Sequence, residues 1–342
     1  MNSVTDTKQR SRPVERARPI DAGAAAAALP APANQLKRNI FWGLVVLAVV
    51  ASIGLTAATS WAKLPSFDWR FNGGWIALAV VGFTALNLTH ASLWRLLLSR
   101  LGAPIRVRRG LAIWCTSGLA RYTPGSLLYS MLRVTMVQAE NVSRRTGVAA
   151  VVYELAVSLT AAVMVGAYAL LQGDPLGVGA LRWAILAIPL LAFTALHPRI
   201  FRPVADAALR RVGREPLPST LHGWRLLEFT ALYCASWVLA GFSLYALIQG
   251  LHPVSPDDLL IVIAAPAVGY IAAAVGFMIP GGLGARETGL AAVLSLSVPV
   301  GVAVAIAIAV RLIQLAIEIL CAAGTSLAAA PTGRLRSRRR PA

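Results

Sequence analysis

The chain has 342 residues, 57% of them hydrophobic and only 13% charged, with a mean hydropathy of +0.67. A soluble domain of this length carries about twice that charge density, and short alternating strands of the barrel kind are missing, so a soluble fold and a β-barrel are both excluded. The formal net charge of +18 would suit nucleic acid, but the excess lies in the tails and a few short loops while the apolar runs are nearly charge-free, which is the positive-inside pattern of a helical membrane protein facing anionic lipid at its cytoplasmic surface.

Residues 1–38 are rich in Arg, Pro and Ala and lack periodic large apolar residues, which predicts a disordered basic cytoplasmic tail. That tail is too long for a signal-peptide n-region, so Ile40–Trp61 is read as a retained first span, held inside at its start by Lys37 and Arg38. The loop Ala62–Gly73 then lies outside, flanked by the interfacial tryptophans Trp61, Trp69 and Trp75. Trp75–Leu98 returns to a cytoplasmic loop carrying Arg100, Arg106, Arg108 and Arg109.

The next stretch cannot be one ordinary span. Leu111–Ala120 is short, Arg121-Tyr122-Thr123-Pro124-Gly125 interrupts it, and Ser126–Val137 is a second short run holding Arg133. A single crossing would leave Arg144 and Arg145 outside and the Pro-Gly break in mid-bilayer. A re-entrant hairpin over residues 111–138 avoids both, with non-helical backbone sheltered by protein; an amphipathic surface helix is the alternative. Gly147–Leu171 then runs outward, Leu181–Leu196 inward, and the arginine-rich segment Pro198–Arg225 is cytoplasmic. Leu226–Gln249 leads out to His252–Asp258.

The basic C-terminus, Arg334 to Arg340, requires Val300–Leu320 to run from outside to inside. Leu259–Val298 must therefore begin and end outside, as a second hairpin tipped by Pro280-Gly281-Gly282-Leu283-Gly284-Ala285-Arg286-Glu287. Leu259–Ile279 is itself long enough to cross, but Thr288–Val298 is too short to return. The fold class that follows is an all-α polytopic membrane protein of about six spans plus two re-entrant helical hairpins entering from opposite faces. Opposed broken helices are the pattern of transporters built as inverted repeats. The membrane domain covers 39–326, and 327–342 form a basic cytoplasmic tail.

At the second break, Pro removes a backbone donor and Gly permits positive φ, so the helix stops and a new one starts at Arg286 and Glu287. Amides at a helix start beside a guanidinium suit a phosphate, although an ordinary external turn looks similar. Ionisable residues at membrane depth point to function by default, and here they are Arg121, Arg133, Glu154, Arg286, Glu287, Arg311 and Glu318. Alternative readings put Arg133 snorkelling to the cytoplasmic surface, Glu154 shallow enough to meet water, and Arg311 and Glu318 as structural charges bonded to neighbouring helices. Asn87 and His90 read as interhelical hydrogen-bonders. Cys115, Cys234 and Cys321 and the four histidines show no metal-ligand spacing. No metal, cofactor, catalytic residue or phosphate-binding loop of the GxxxxGK[ST] form is therefore expected.

With both breaks placed, the chain resembles the lysylphosphatidylglycerol synthase transmembrane-region, or flippase-like, family. Arg121-Tyr122-x-Pro124-Gly125 and Pro280-Gly281-Gly282-Leu283-Gly284-x-Arg286-Glu287 carry the resemblance, which covers roughly residues 40–325. Two positions depart from the family pattern: Ser126 stands where a basic residue is common, and Leu155 and Ala156 follow Glu154 where polar residues are expected. The two-part synthases attach a soluble catalytic domain after the membrane region. A chain ending at Ala342 is expected to lack it, so the resemblance implies lipid translocation or an allied lipid role in the plasma (bacterial inner) membrane, with room for a separate lipid-synthesis partner.

The working expectation is that the two hairpin tips meet near the midplane. Arg121, Tyr122, Pro124 and Gly125 would face Pro280, Gly281, Gly282, Gly284 and Arg286 across a polar cavity for a lipid head group. Glu154 and Glu287 would hold the arginines between substrates or accept a cationic moiety. A membrane enzyme and an accessory scaffold are the rival readings. Single cysteines at Ser255 and Ser297 should both label from outside; cytoplasmic labelling at Ser297 would remove the second hairpin.

Overall fold

A computed structural model describes residues 70–122, 128–171, 187, 191, 193–194, 197–211, 221–275 and 284–329. All of them fall in one compact unit, Val45–Ala342, and the regular elements among them are all helical. Five helical stretches are long and apolar enough to cross a membrane: Gly73–Arg100, Arg144–Leu171, Gly223–Leu251, Pro256–Val275 and Val300–Ala329. The protein is an all-α polytopic integral membrane protein. Four of these stretches are expected spans, and Pro256–Val275 is the first limb of the expected second hairpin. The expected span Ile40–Trp61 and nearly all of Leu181–Leu196 lie outside the described residues.

Helix α1 (Gly73–Arg100) starts where Asn72 Oδ1 accepts from the Gly74 and Trp75 amides at 3.1 and 3.4 Å, satisfying donors that a helix start leaves open. The short helices α2 (Val107–Gly118) and α3 (Leu128–Gln138) follow, with a 3-10 turn at Leu119–Tyr122 after α2. Then come α4 (Arg144–Leu171), α5 (Pro198–Arg211), α6 (Gly223–Leu251), α7 (Leu259–Val275), α8 (Ala285–Leu294) and α9 (Val300–Ala329). On α5, Arg199, Arg202, Arg210 and Arg211 are exposed while Asp206 is buried.

Two hairpins stand out. The limbs α2 and α3 pack together, and Arg109 at the start of α2 reaches Glu140 just past α3 at 3.6 Å, so the chain enters and leaves on one side. The limbs α7 and α8 pack more closely. A Cβ on Gly269 would lie 2.9 Å from the Arg286 carbonyl, and one on Gly289 would lie 2.7 Å from Ala272 Cβ. Small residues are what let two helices approach this far. Gly284 caps α8 at φ 90°, a conformation that side chains other than Gly's disfavour, and Glu287 Oε2 accepts from its amide at 3.1 Å.

The two hairpins enter from opposite ends. Helices α1 and α6 are antiparallel: the Arg70 and Asn72 amides donate to the Leu251 and Gly250 carbonyls, while Arg100 at the other end of α1 reaches Glu228 near the start of α6. Hairpin α2–α3 follows the Arg100 end and hairpin α7–α8 follows the Leu251 end. The packing is also reciprocal. Each of α1–α4 corresponds to one of α6–α9 in turn, and the contacts obey the exchange: α4, after the first hairpin, packs on α7, and α9, after the second, packs on α2. Antiparallel leading helices with exchangeable contacts make the two halves an inverted pair.

The close approach is testable. Gly289→Ala should cost about 1–3 kcal/mol by overpacking. Gly324→Ala, on α9 with nothing within 4 Å of its added Cβ, should cost nothing. Thermal unfolding in detergent compares the two.

Candidate functional site

A cavity of about 420 Å³ lies between the two halves. It is bordered by Asn87 on α1, Ser158 on α4, Trp237 on α6 and Gln314 on α9, each near the middle of a helix of 28 to 30 residues. At 1.5 Å per residue that places it about 20 Å from either helix end, the depth of a bilayer midplane. Its volume is within the roughly 300–1,000 Å³ of small-ligand sites. Four arginines, Arg121, Arg133, Arg286 and Arg311, and two glutamates, Glu154 and Glu318, line it.

The deepest charge is Arg133 on α3, only 1% exposed. Burying a guanidinium is costly unless every donor direction finds a partner. Here its Nη1 pairs with Glu154 Oε2 on α4, and its Nε donates to Ser117 Oγ on α2 at 3.1 Å. Its guanidinium carbon lies 5.2, 5.3 and 5.6 Å from the rings of Trp114, Trp94 and Tyr129, within cation–π range. Trp114 Nε1 donates to the other Glu154 oxygen at 2.9 Å, so that carboxylate is held at both oxygens.

Two further pairs complete the lining. Arg121, in the 3-10 turn at the first hairpin tip, reaches Glu318 Oε1 on α9 at 3.2 Å, and its Nε donates to the Gly118 carbonyl at 3.0 Å. Arg311 on α9 reaches Glu287 Oε1 on α8 at 3.5 Å. Each half thus ties its hairpin to the helix that follows by one ion pair: Arg133–Glu154 in the first, Glu287–Arg311 in the second, with the signs exchanged. The Arg121–Glu318 pair instead joins one half to the other. Ser130 Oγ, Tyr233 Oη and Glu318 Oε2, all on cavity residues, are buried with no hydrogen-bond partner. Buried polar atoms are normally satisfied, so these three, unpartnered among the described residues, are able to hydrogen-bond a group that enters the cavity.

Residues 40–322 match the family described as Lysylphosphatidylglycerol synthase TM region. The chain belongs to that family. No curated protein matches it.

The lysylphosphatidylglycerol synthase transmembrane-region fold brings both tip arginines, Arg121 and Arg286, to one cavity, together with Glu154. Glu287 lies beside them with its carboxylate on Arg311, and Gly284 caps α8. The backbone of Tyr122 ends the 3-10 turn; Pro124, Gly125, Pro280, Gly281 and Gly282 lie outside the described residues.

Several expectations need correction. The alternative that Arg133 snorkels to the cytoplasmic surface does not hold, because its guanidinium is buried inside the aromatic and carboxylate shell just described. Glu154 is not shallow: it is buried and faces the cavity. The carboxylates also pair differently from the expectation, Glu154 with Arg133 and Glu287 with Arg311. Arg311 and Glu318 do bond to neighbouring helices, and both line the cavity as well. His90 and Asn87 bond across helices as expected, His90 Nε2 to Ser236 Oγ at 2.9 Å and Asn87 Nδ2 to Cys115 Sγ at 4.0 Å, and both border the cavity. Missed altogether were Trp114, Tyr129, Tyr233, Trp237, Tyr270 and Gln314. Gln314 had a legible signal, since with Arg311 and Glu318 it makes a polar stripe at helical spacing.

The buried pair should behave as a unit. Glu154→Leu or Arg133→Met alone should cost about 3–5 kcal/mol by stranding a charge, while the double variant should cost less than either. Thermal unfolding of the purified protein measures the cycle.

Proposed function

We propose that the protein is a lipid translocator that moves an anionic or aminoacylated phospholipid, or a lipid-linked head group, between leaflets of the plasma (bacterial inner) membrane, with both chain termini in the cytoplasm. The observation that carries this reading is the midplane cavity with its four arginines and three unpartnered polar atoms. Guanidinium groups suit phosphate because their planar fork of donors matches its oxygens. Membership of a lipid-related membrane family points the same way.

In this reading the head group enters the cavity while the acyl chains stay in the bilayer. Its phosphate contacts Arg121 and Arg286 from the two hairpin tips. The inverted halves rock about the cavity and open it to one face and then the other. A separate lipid-synthesis partner would supply an aminoacylated cargo, and anionic lipid would attract the arginine-rich cytoplasmic surface.

The test is leaflet-resolved movement of acyl-labelled phosphatidylglycerol in proteoliposomes. Losing one charge-assisted contact of about 1.5–3 kcal/mol should slow movement roughly tenfold to a hundredfold in Arg286→Ala, with folding intact. A change in the lipid's covalent structure would mark an enzyme instead, and no protein-dependent effect would leave a scaffold.

A further inference from the structure

The three carboxylates around the cavity are not equivalent. Glu154 has both oxygens held, by Trp114 Nε1 at 2.9 Å and by Arg133. Glu287 likewise has both held, by the Gly284 amide at 3.1 Å and by Arg311 at 3.5 Å. Glu318 has one oxygen on Arg121 at 3.2 Å, while the other is buried with no hydrogen-bond partner among the described residues. Glu318 is also the carboxylate whose cavity ion pair spans the two halves, from α9 to the tip of the first hairpin. The pairs made by the other two lie within a half, so rocking leaves them intact and strains this one.

We propose that Glu318 is a proton-binding site that couples head-group movement to proton movement; this rests on the translocator reading above. The steps balance in charge and atoms. A phosphate monoanion entering the cavity pairs with Arg121 and displaces the Glu318 carboxylate. A carboxylate left unpaired at the bilayer midplane is too costly to remain ionised, so it takes one proton from the water on the open side. Head group and proton then cross together as a neutral set. On the far side the phosphate leaves, Glu318 releases its proton to that water, and the carboxylate returns to Arg121.

The groups around Glu318 fit this role. Helix α9 packs on α1, α2, α6, α8 and the 119–122 turn. Those elements bring His90, Cys115, Tyr233, Arg286 with Glu287, and Arg121 respectively, and α9 itself carries Arg311 and Cys321. Across the cavity stand Tyr129, Arg133 and Glu154. Of the carboxylates in that set, Glu154 and Glu287 are committed to partners within their own halves, which leaves Glu318 to exchange its guanidinium for a proton.

The experiment uses the full chain in proteoliposomes holding acyl-labelled phosphatidylglycerol, a pH difference of one unit and a potential clamped to zero with potassium and valinomycin. Protein-free vesicles set the baseline. With one proton per lipid the label should be enriched up to about tenfold in the leaflet facing the alkaline side, since one pH unit is a tenfold ratio. Glu318→Gln should abolish the enrichment whatever movement remains, and Glu318→Asp, which keeps a titratable group, should restore it. Wild-type protein that moves lipid but leaves it evenly distributed overturns the coupling and spares the translocator reading. Wild-type protein that moves no lipid overturns both. If Glu318→Gln fails to fold, the wild-type distribution decides the question.

Discussion

Arg133 sits on the short helix α3 with almost none of its surface exposed, and it is compatible with folding because three neighbouring helices converge on it. Trp94 comes from α1, Trp114 and Ser117 from α2, and Glu154 from α4, while Tyr129 lies on α3 beside it. An unpartnered guanidinium at this depth would cost a large part of a typical protein's margin of stability. This cluster joins the first hairpin to α4.

The second half solves the same problem by different means. Its hairpin is held by close helix contact at Gly269 and Gly289, and its ion pair, Glu287–Arg311, is longer and less buried than Arg133–Glu154. In both halves the hairpin is tied to the helix that follows it, so hairpin and helix move together. Between the halves, within the cavity, stands the Arg121–Glu318 pair, whose arginine is more exposed than Arg133 while the two glutamates are equally buried. In the rocking motion proposed above, the pairs within each half would stay made and this cavity pair between the halves would exchange.

The hairpins were legible because Pro, Gly and arginine interrupt the apolar runs and leave at least one limb of each too short to span, and the arginine bias of the loops set their opposed directions. Partner choice was not legible. Glu287 adjoins Arg286 in sequence, yet successive residues on a helix diverge by about 100°, and the carboxylate reaches Arg311 on another helix. Arg121 and Glu318 meet from distant parts of the chain, and nothing local in either segment reports that contact. The aromatic lining was hidden for another reason: Tyr233, Trp237 and Tyr270 sit in apolar runs where an aromatic facing lipid and one facing a cavity look alike. A polar stripe such as Arg311, Gln314 and Glu318 is the exception, because no lipid-facing surface tolerates it.

Stability alone does not account for so many charges at this depth. Replacing a buried ion pair by well-packed apolar residues is often neutral or stabilising, so a fold selected only for stability would have filled this cavity with leucine and phenylalanine. It instead carries ion pairs along its lining and leaves three buried polar atoms beside them with no hydrogen-bond partner among the described residues. Such an arrangement is costly while the cavity is empty and favourable when an anion is present. In the translocator reading, arginines already matched to carboxylates would bind the anion by exchange and not by outright capture. A site that trades one partner for another holds its cargo loosely enough to release it.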